Sequence, residues 1–451
     1  MRSILAILSA AALVGGITLT STTGFAHPGQ SGNGGSLSGG FKKHPPPTPT
    51  PTPTSTLTPT ASPTPTSAST ATATPTPTSA STATATPTAT ASPTPTATTA
   101  SNVYTVPASI PSNCSVAVEQ QLMSFFATVP DGSTILFPAN GCYGQDGTIT
   151  LTDRSSLDIN GNGSTFKALT TGVSNRSNWR IEGGSNIKLE HMTVWGADPV
   201  ADTSGAAYNT NYEWQHGFAF DGTQGGILNR VSAYHVYGDF VEAEFDQRLG
   251  ATASPPARNI LVQDSSFDGA GRMGFGLTDV VGFTLQNTSV GNVSWDAVDV
   301  ELDIDQEYGQ NIQILNDTFG PTRFSILSNY GAGGSNVSNI TVSGNVEKGP
   351  LVTCAAPIAV NPPTGMYRSG YTVQNNQFLT YGDGFDFTRA DNVTVSGNTV
   401  NFTNGQCGTY VGTALTDSHT AGITNNTFAV AAAVARVDSL SSNVQMSGNN
   451  L

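Results

Sequence analysis

The phrase NVTVSGNTV at residues 392–400 recurs, with variations, from residue 156 to the last residue of the sequence. Its apolar and polar residues alternate, which is typical of a β-strand with one buried face. The Ser, Gly and Asn that follow the strand favour a bend, because Gly and Asn tolerate left-handed backbone conformations. Seven further copies share this pattern: NIKLEHMTV (186–194), GFTLQNTSV (282–290), NIQILNDTF (311–319), NITVSGNVE (339–347), GYTVQNNQF (370–378), AGITNNTFA (421–429) and NVQMSGNNL (443–451).

The spacing of this phrase predicts a solenoid. One position within it recurs at intervals of about 22 to 38 residues, too short for a propeller and without helical periodicity. A strand with one apolar face cannot bury that face alone, so successive copies must stack into a continuous core. The recurring positions are Gly161, His191, Asn229, Asp264, Asn287, Asn316, Gly344, Asn375, Gly397, Asn425 and Gly448. We therefore predict an all-β fold, a single-stranded parallel β-helix, in which Asn side chains bond from one turn to the next.

The N-terminus has the features of an export signal. Arg2 is followed by an apolar run over residues 4–19 and then by Gly24, Phe25 and Ala26. These features predict a secretory signal peptide over residues 1–26, cleaved after Ala26. No other stretch is long enough to span a bilayer, so we predict a secreted, extracellular protein without a transmembrane span.

Residues 27–100 are predicted to form a disordered linker. They are Gly-rich at first and, from residue 45, consist almost only of Pro, Thr, Ser and Ala. Such a segment has too little apolar surface to offset its ordering entropy. It resembles the linkers of secreted bacterial polysaccharide-degrading enzymes, and it would serve either as a stalk or in cell-wall attachment. The β-helix domain then covers residues 101–451.

The charge of the domain is strongly negative. Residues 1–100 hold three of the 17 basic residues and none of the 31 acidic ones, so residues 101–451 carry a balance of −17. Such a surface repels nucleic acids and anionic membranes, and it repels polyuronates unless a cation bridges them. We therefore expect no nucleic-acid partner, and we also predict a monomer.

The four cysteines of this secreted chain predict two disulfides. Cys114 and Cys142 flank the first turn of the solenoid, which leaves Cys354 with Cys407. The second pair is separated by one intervening turn, or about 9.6 Å between rungs, whereas disulfides need Cα atoms within about 7 Å. We expect that bridge only if the two loops bend toward each other.

A short helix is predicted before the first turn. Val118, Leu122, Phe125 and Phe126 recur at helical spacing between residues 115 and 128. Asn113 or Ser115 would cap its N-terminus. Its apolar face would cover the open end of the solenoid core.

This helix, followed by DGSTILFPANGCYG at 131–144 and SLDINGNGSTF at 156–166, resembles the start of pectin-lyase-like right-handed parallel β-helix proteins. The resemblance covers residues 101–451 and implies a right-handed solenoid. That superfamily includes polysaccharide lyases, glycoside hydrolases, epimerases, tailspikes and adhesins, so the fold does not select a reaction. The NTD, DD, GHG and RIK phrases of polygalacturonases are absent, as are those of pectate lyases and alginate epimerases, and no catalytic residue is transferred.

Two acidic strands are the strongest candidates for chemistry. In WDAVDVELDID (295–305), Asp299, Glu301, Asp303 and Asp305 alternate with apolar residues and should face outward. FVEAEFD (240–246), two turns earlier, has the same design with Glu242, Glu244 and Asp246. The intervening turn places Gly276 and Thr278 at the matching positions, which predicts a groove lined by carboxylates on rungs about 9.6 Å apart.

Carboxylates at this separation suit an inverting glycosidase, whose acid and base are about 6.5–9.5 Å apart. We predict Glu242, Glu244, Asp299 and Glu301 as catalytic candidates, with the acid and base unassigned. Such a hydrolase requires no cofactor. The alternative without chemistry is that these are solvated strand faces.

A calcium site is a further interpretation of the same acids, because Ca²⁺ takes six to eight oxygen ligands. Asp246 and Asp303 would then contribute to the site. A Ca²⁺-dependent lyase would also need a basic residue, for which Arg272, Arg323 and Arg248 are candidates.

An aromatic insertion, YNTNYEWQHG at 208–217, lies within the longest interval between copies. Tyr208, Tyr212 and Trp214 could stack on sugar rings, with His216, Arg272 and Arg323 as further substrate-binding candidates. Alternatively, the aromatic residues only pack a long loop.

Together these features predict a secreted protein that hydrolyses a neutral or lightly charged cell-wall or extracellular polysaccharide. A Ca²⁺-dependent lyase and a non-catalytic, glycan-binding adhesive solenoid are the alternatives.

Overall fold

The computed structural model describes residues 102–334, 336–349, 351–403, 407–408 and 410–451. The predicted signal peptide and linker lie outside these residues. No helix among the described residues has the length and apolar character needed to cross a membrane.

The described chain winds through three stacks of parallel strands, which we call faces A, B and C. Within each turn the chain passes from face A to face B and then to face C. Two long strands, Ser155–Ala168 and Ser185–Trp195, run through both A and B and join them into one sheet. The prediction of a right-handed parallel β-helix is confirmed.

The remaining strands of face A are Val103–Thr105, Thr134–Leu136, Gln224–Asn229, Ala257–Gln263, Val280–Gln286, Gly309–Leu315, Val337–Ser343, Arg368–Gln374, Ala390–Ser396, His419–Thr424 and Ser442–Ser447. Those of face B are Asn113–Ala117, Cys142–Gln145, Ser232–Val236, Ser266–Ala270, Ser289–Val293, Thr318–Phe319, Val346–Glu347, Gln377–Thr380, Thr399–Phe402 and Thr427–Ala429. Face C comprises Ile149–Thr152, Trp179–Glu182, Phe218–Asp221, Val241–Glu244, Phe275–Leu277, Val298–Val300, Leu327–Asn329, Ile358–Val360, Phe385–Thr388, Val411–Thr416 and Ala433–Val437.

The core is built from equivalent apolar residues of successive turns. On face A, Phe283, Ile312 and Ile340 are register partners on adjacent rungs, and all are buried. Full burial of one such side chain contributes about 1.5–3 kcal/mol. This stacking is what gives the strand phrase its fixed alternation.

The single helix of the described residues, Glu119–Phe126, packs against the first turns of the core. Leu122 and Phe126 are its buried apolar side chains, and the Phe126 ring lies 6.0 Å from that of Trp179. The helix begins later than predicted, because residues 113–117 form a strand of face B instead. The Asn113 side chain accepts the Ser115 N–H within that strand and caps no helix.

A ladder of Asn side chains connects the turns between faces A and B, as predicted. The Asn376 Oδ1 accepts the backbone N–H of Asn345 at 2.9 Å. Its Nδ2 donates to the Val342 carbonyl and to Asn398 Oδ1, both at 2.9 Å. Asn426 and Asn449 continue the same pattern toward the C-terminus.

Asn376→Leu should therefore lower the free energy of unfolding by about 3 kcal/mol, because it leaves several buried polar groups unpaired. The exposed Asn401, on the neighbouring turn, provides the control Asn401→Leu. Chemical denaturation of both variants tests this expectation. Equal stability of the two variants would show that the ladder contributes nothing.

Both predicted disulfides are formed. The Cα atoms are 5.0 Å apart in Cys114–Cys142 and 5.7 Å apart in Cys354–Cys407. The second bridge is possible because the turn between its two loops contains Gly382. A Cβ at Gly382 would lie 2.1 Å from the Cys354 carbonyl oxygen, so only glycine allows this close approach.

Candidate functional site

The two acidic strands lie on face C in the predicted register. Glu242, Gly276 and Asp299 are partners on three successive rungs, and Ser328 continues the column. The apolar residues that directly precede them, Val241, Phe275 and Val298, form the matching interior column. The sequence pattern therefore placed the two carboxylates on the correct face and rungs.

Both acidic strands are shorter than predicted. Strand Val298–Val300 ends before Asp303 and Asp305, which lie exposed in a turn. The Glu307 carboxylate bends this turn by accepting the N–H groups of Asp303 and Ile304, at 2.5 and 3.1 Å.

Asp246 likewise lies beyond its strand, Val241–Glu244. Its carboxylate accepts two hydrogen bonds from the Arg248 guanidinium, at 2.9 and 2.5 Å. Asp246 and Asp303 are the two predicted calcium ligands. Among the described residues, neither belongs to a group of side chains that could hold a metal together.

The predicted open groove is largely filled. Glu242, Glu244 and Asp299 are only 0%, 1% and 5% exposed, whereas the Glu301 side chain is 36% exposed. Glu244 accepts a hydrogen bond of 2.5 Å from Gln247. The solvated-face interpretation thus fails for the first three carboxylates and holds only in part for Glu301.

Arg272 lies at the centre of this cluster. Its Nε is 3.1 Å from Asp239 Oδ1, and its Nη2 is 4.0 Å from Glu242 Oε2 and 3.9 Å from Glu301 Oε2. The oxygens of Glu242 and Glu301 are therefore no more than about 8 Å apart, because both lie near one nitrogen. The Trp214 ring covers the guanidinium, with 5.7 Å between its centroid and Arg272 Cζ.

His216 closes the inner side of the cluster and is fully buried. Its Nδ1 accepts the backbone N–H of Asp239 at 3.1 Å, so the neutral ring carries its proton on Nε2. That Nε2 lies 3.6 Å from Glu242 Oε2. His216 thus orients Glu242 and has no exposed face on which a sugar could stack.

Burial changes the proton affinity of these acids. Loss of solvation raises the pKa of Asp299 well above its usual range, and the neighbouring Glu301 and Asp296 charges raise it further. Desolvation also raises the pKa of Asp239, against the opposing effect of Arg272. The pKa of Asp296 is raised to about 7, again mainly by burial. The raised pKa favours the protonated form of Asp299, which a general acid requires.

Sequence reasoning missed a second set of acids, each three residues before an acid on a face C strand. Asp239 precedes Glu242, and Asp296 precedes Asp299. Asp239 Oδ1 accepts the N–H of Met273 at 2.9 Å, and Asp296 Oδ1 accepts that of Ser325 at 2.6 Å. The Asp-x-x-acid spacing recurs at Asp383, whose Oδ1 accepts the Val411 N–H. That recurrence is the signal which the sequence offered.

The aromatic insertion packs beside the cluster. Tyr208 contacts Trp295, with ring centroids 5.2 Å apart, and its hydroxyl donates to Glu213 at 2.5 Å. Tyr212 packs on Tyr237 at 5.0 Å. Of the three predicted stacking residues, only Trp214 is shown to contact the charged cluster.

Arg323 also packs against this insertion. Its guanidinium lies over the Phe324 ring at 4.9 Å and next to Gly205, and it makes no ion pair with any carboxylate of the described residues. The Ser294 hydroxyl binds the Ser204 carbonyl at 3.0 Å, which ties the insertion to a later turn.

His216, Asp239 and Glu242 are the one group of described residues that could hold a metal, with ligand atoms within 4.8 Å of one another. The Arg272 guanidinium already compensates the two carboxylates, and it would repel a divalent cation placed there. The arrangement therefore favours an internally compensated cluster over a metal centre.

Arg272→Met should lower the free energy of unfolding by about 3 kcal/mol, because it leaves buried carboxylates without their cation. Adding Glu242→Gln should recover part of this loss. The half-buried Arg258 of face A, which makes no ion pair with the described residues, provides the control Arg258→Met. Denaturation curves showing no difference between Arg272→Met and that control would contradict the compensating role.

The sequence matches no protein-family profile and no curated protein. Solved structures share its fold. The chain is similar to the surface adhesin PfbA of Streptococcus pneumoniae, at 13% identity over 75% of this chain and 90% of that one, with a TM-score of 0.53. The catalytic unit of an α-1,3-glucanase of Streptomyces thermodiastaticus gives 14% identity over 75% and 67%, with a TM-score of 0.53.

A third similar structure is the A-module of a mannuronan C-5 epimerase from Azotobacter vinelandii, at 14% identity over 75% of this chain and 96% of that module, with a TM-score of 0.51. These similarities show that the chain has the pectin-lyase-like right-handed parallel β-helix fold. At such low identities they show the fold alone.

Proposed function

We propose that this protein is a secreted glycoside hydrolase that cleaves a neutral extracellular polysaccharide on face C. The observation that supports this most strongly is the difference in exposure between two acids at the end of strand Val298–Val300. Asp299 is almost fully buried with a raised pKa, whereas Glu301 is partly exposed and lies 3.9 Å from Arg272. When two neighbouring carboxyl groups have such different environments, the buried one with the raised pKa suits a general acid and the exposed one suits a general base.

Asp299 is the proposed proton donor. The Ser328 hydroxyl donates to its Oδ1 at 2.7 Å, which fixes the carboxyl group and leaves Oδ2 to carry the proton. Asp299 Oδ2 would give this proton to the glycosidic oxygen as the bond from that oxygen to the anomeric carbon breaks.

Glu301 is the proposed base. The nearby Arg272 cation favours its ionised form, and its exposure allows a water molecule to approach. Glu301 would take a proton from that water while the water oxygen bonds to the anomeric carbon. Glu301 directly follows strand Val298–Val300. Residues two apart in extended backbone stand about 6.6 Å apart, and the two carboxyl groups of inverting enzymes are about 6.5–9.5 Å apart.

A neutral substrate fits the charge of the site. The domain carries many more acidic than basic residues, and Arg272 is already paired with carboxylates. Trp214 and the nearby aromatic residues supply apolar surface at one side of the cluster. An uncharged glycan avoids repulsion that a polyuronate would meet.

A non-catalytic glycan-binding protein is the second candidate. It is favoured by the deep burial of Glu242 and Asp239, which are paired with His216 and Arg272 as structural ion pairs usually are. The similarity in fold to a surface adhesin is compatible with it.

Product analysis on a panel of plant and microbial polysaccharides separates these functions. We expect new reducing ends without unsaturated sugars, unchanged by a chelator. Unsaturated products that disappear on chelation would instead indicate a Ca²⁺-dependent lyase. Binding to a glycan that is never cut would support the adhesive function.

A further inference from the structure

Two polar side chains occupy core positions that are apolar on neighbouring rungs. Asn329 stands in the interior column of face C and is fully buried. The other members of that column are Ala243, Leu277, Val300, Val360 and Phe387. Arg368 stands in an interior column of face A and is also fully buried. The other members there are Ala257, Val280, Gly309, Val337 and Ala390.

The guanidinium of Arg368 is only partly satisfied by the protein. Its Nη2 donates to the carbonyl oxygens of Gly331 and Gly333, at 2.8 and 2.9 Å. Its Nε and Nη1 have no hydrogen-bond acceptor among the described residues. The core therefore contains N–H groups that point at no protein oxygen.

No carboxylate balances this charge. All 31 acidic residues of the chain lie among the described residues, and none forms an ion pair with Arg368. A guanidinium does not give up its proton in proteins. A buried cation without a counter-charge costs several kcal/mol, so an anion bound beside it would stabilise the fold.

A further donor faces the same region. Tyr371 is buried three residues after Arg368 on the same strand, and both side chains contact the segment 329–333. Asn329 Nδ2 donates to the Tyr371 hydroxyl at 3.1 Å, which leaves the hydroxyl hydrogen unused. If the amide is rotated, the hydroxyl donates to it and an Nδ2 hydrogen is unused instead. Either orientation leaves at least one donor hydrogen unused, and only the rotated one removes the Asn329 Oδ1 acceptor that otherwise has no partner among the described residues.

We propose that Arg368, together with the Asn329–Tyr371 pair, holds a small inorganic anion, chloride, inside the solenoid. The complete burial of all three side chains excludes larger organic anions. The anion would also support the turn at 330–334, whose Gly331 and Gly333 carbonyls bind Arg368. Ser328, which binds Asp299, directly precedes Asn329, so this site lies behind the floor of face C.

The test is thermal unfolding of the full chain at constant ionic strength, with sodium gluconate exchanged for sodium chloride or sodium bromide. We expect the Tm to rise by about 3 °C and then to saturate, as for a ligand that binds only the folded state. Arg368→Met should abolish this dependence, whereas the control Arg258→Met should keep it.

A crystal of the unmodified protein grown in bromide gives a second measurement, which does not depend on the folding of Arg368→Met. An anomalous bromide peak in contact with the Arg368 side chain would confirm the site. A Tm that is indifferent to the halide, together with water only at this position, would overturn the proposal. Neither outcome depends on whether the protein cleaves glycans.

Discussion

Asp299→Asn is expected to reduce the rate of polysaccharide hydrolysis by about 1,000-fold, because an amide cannot protonate the departing glycosidic oxygen. The Ser328 hydroxyl can still donate to the amide oxygen, so the side chain should keep its position. The variant should fold about as well as the parent, since a neutral amide replaces a carboxyl group whose charged form is disfavoured by burial and by the Glu301 and Asp296 charges. The measurement is the rate of reducing-end release on the substrate that product analysis identifies.

Asp303→Asn is the matched control, since it makes the same chemical change four residues later on an exposed turn. It should leave the rate within about two-fold of the parent, as surface changes away from a site usually do. Glu301→Gln should lower the rate by about 100-fold or more through loss of the base. Equal activity of Asp299→Asn and Asp303→Asn would remove Asp299 from the mechanism.

The second large effect is a fall in stability as the pH rises from about 5 to about 8. Burial raises the pKa of several acids, so the folded state keeps protons that the unfolded chain has lost. The raised values are about 6 for Asp279 and Asp386, about 7 for Asp221, Asp296, Glu307 and Asp317, and about 8 for Glu347.

Below the ordinary pKa values of the unfolded chain, 3.8 for Asp and 4.5 for Glu, both states hold these protons and the stabilisation is complete. Above the unfolded values, the folded state binds more protons than the unfolded state, so the free energy of unfolding falls with pH through the range 6–8. One unit of pKa difference corresponds to about 1.4 kcal/mol of stability for a single group, so with seven such groups we expect the Tm to fall by more than about 10 °C.

Glu347→Gln isolates one of these groups. Glu347 Oε2 accepts the Leu379 N–H at 2.8 Å, which a Gln side-chain oxygen can also do, but Gln has no proton to lose. The pH dependence of the Tm should become shallower in this variant and stay unchanged in Asp268→Asn, which alters an exposed acid. A Tm that rises between pH 5 and pH 8 would contradict the buried, protonated state of these acids.

The fold could be predicted because its signal is repeated. Each copy of the strand phrase must place its Val, Ile and Phe residues over those of the previous turn, so one alignment fixes all rungs. The same rule predicted that Glu242 and Asp299 lie in one column two rungs apart, since Val241 and Val298, the residues before them, belong to one interior column.

Burial of the acids could not be predicted, because it depends on residues that no repeat constrains. Trp214 belongs to an insertion of irregular length, and Arg272 lies in a turn between faces B and C. Their side chains fill the groove that an alignment of strands alone leaves open. The pairing of Cys354 with Cys407 could be predicted, but the close approach of their loops could not, since it depends on Gly382 in the turn between them.

Asn329 and Arg368 show a different limit. Read along the chain, SILSNYG and MYRSGYT look like ordinary strand ends and turns. Only the register reveals that both residues occupy columns that are otherwise apolar or small. An alignment of all rungs by column would have found them, and such exceptions are where buried polar sites occur.

The most direct test of the central claim is a crystal structure of Asp299→Asn with an oligosaccharide of the identified substrate. We predict that the sugar lies on face C, with its glycosidic oxygen about 3 Å from the residue 299 side chain and a water molecule near Glu301. An oligosaccharide bound on face A or face B, with the residue 299 side chain still enclosed and out of reach, would contradict it.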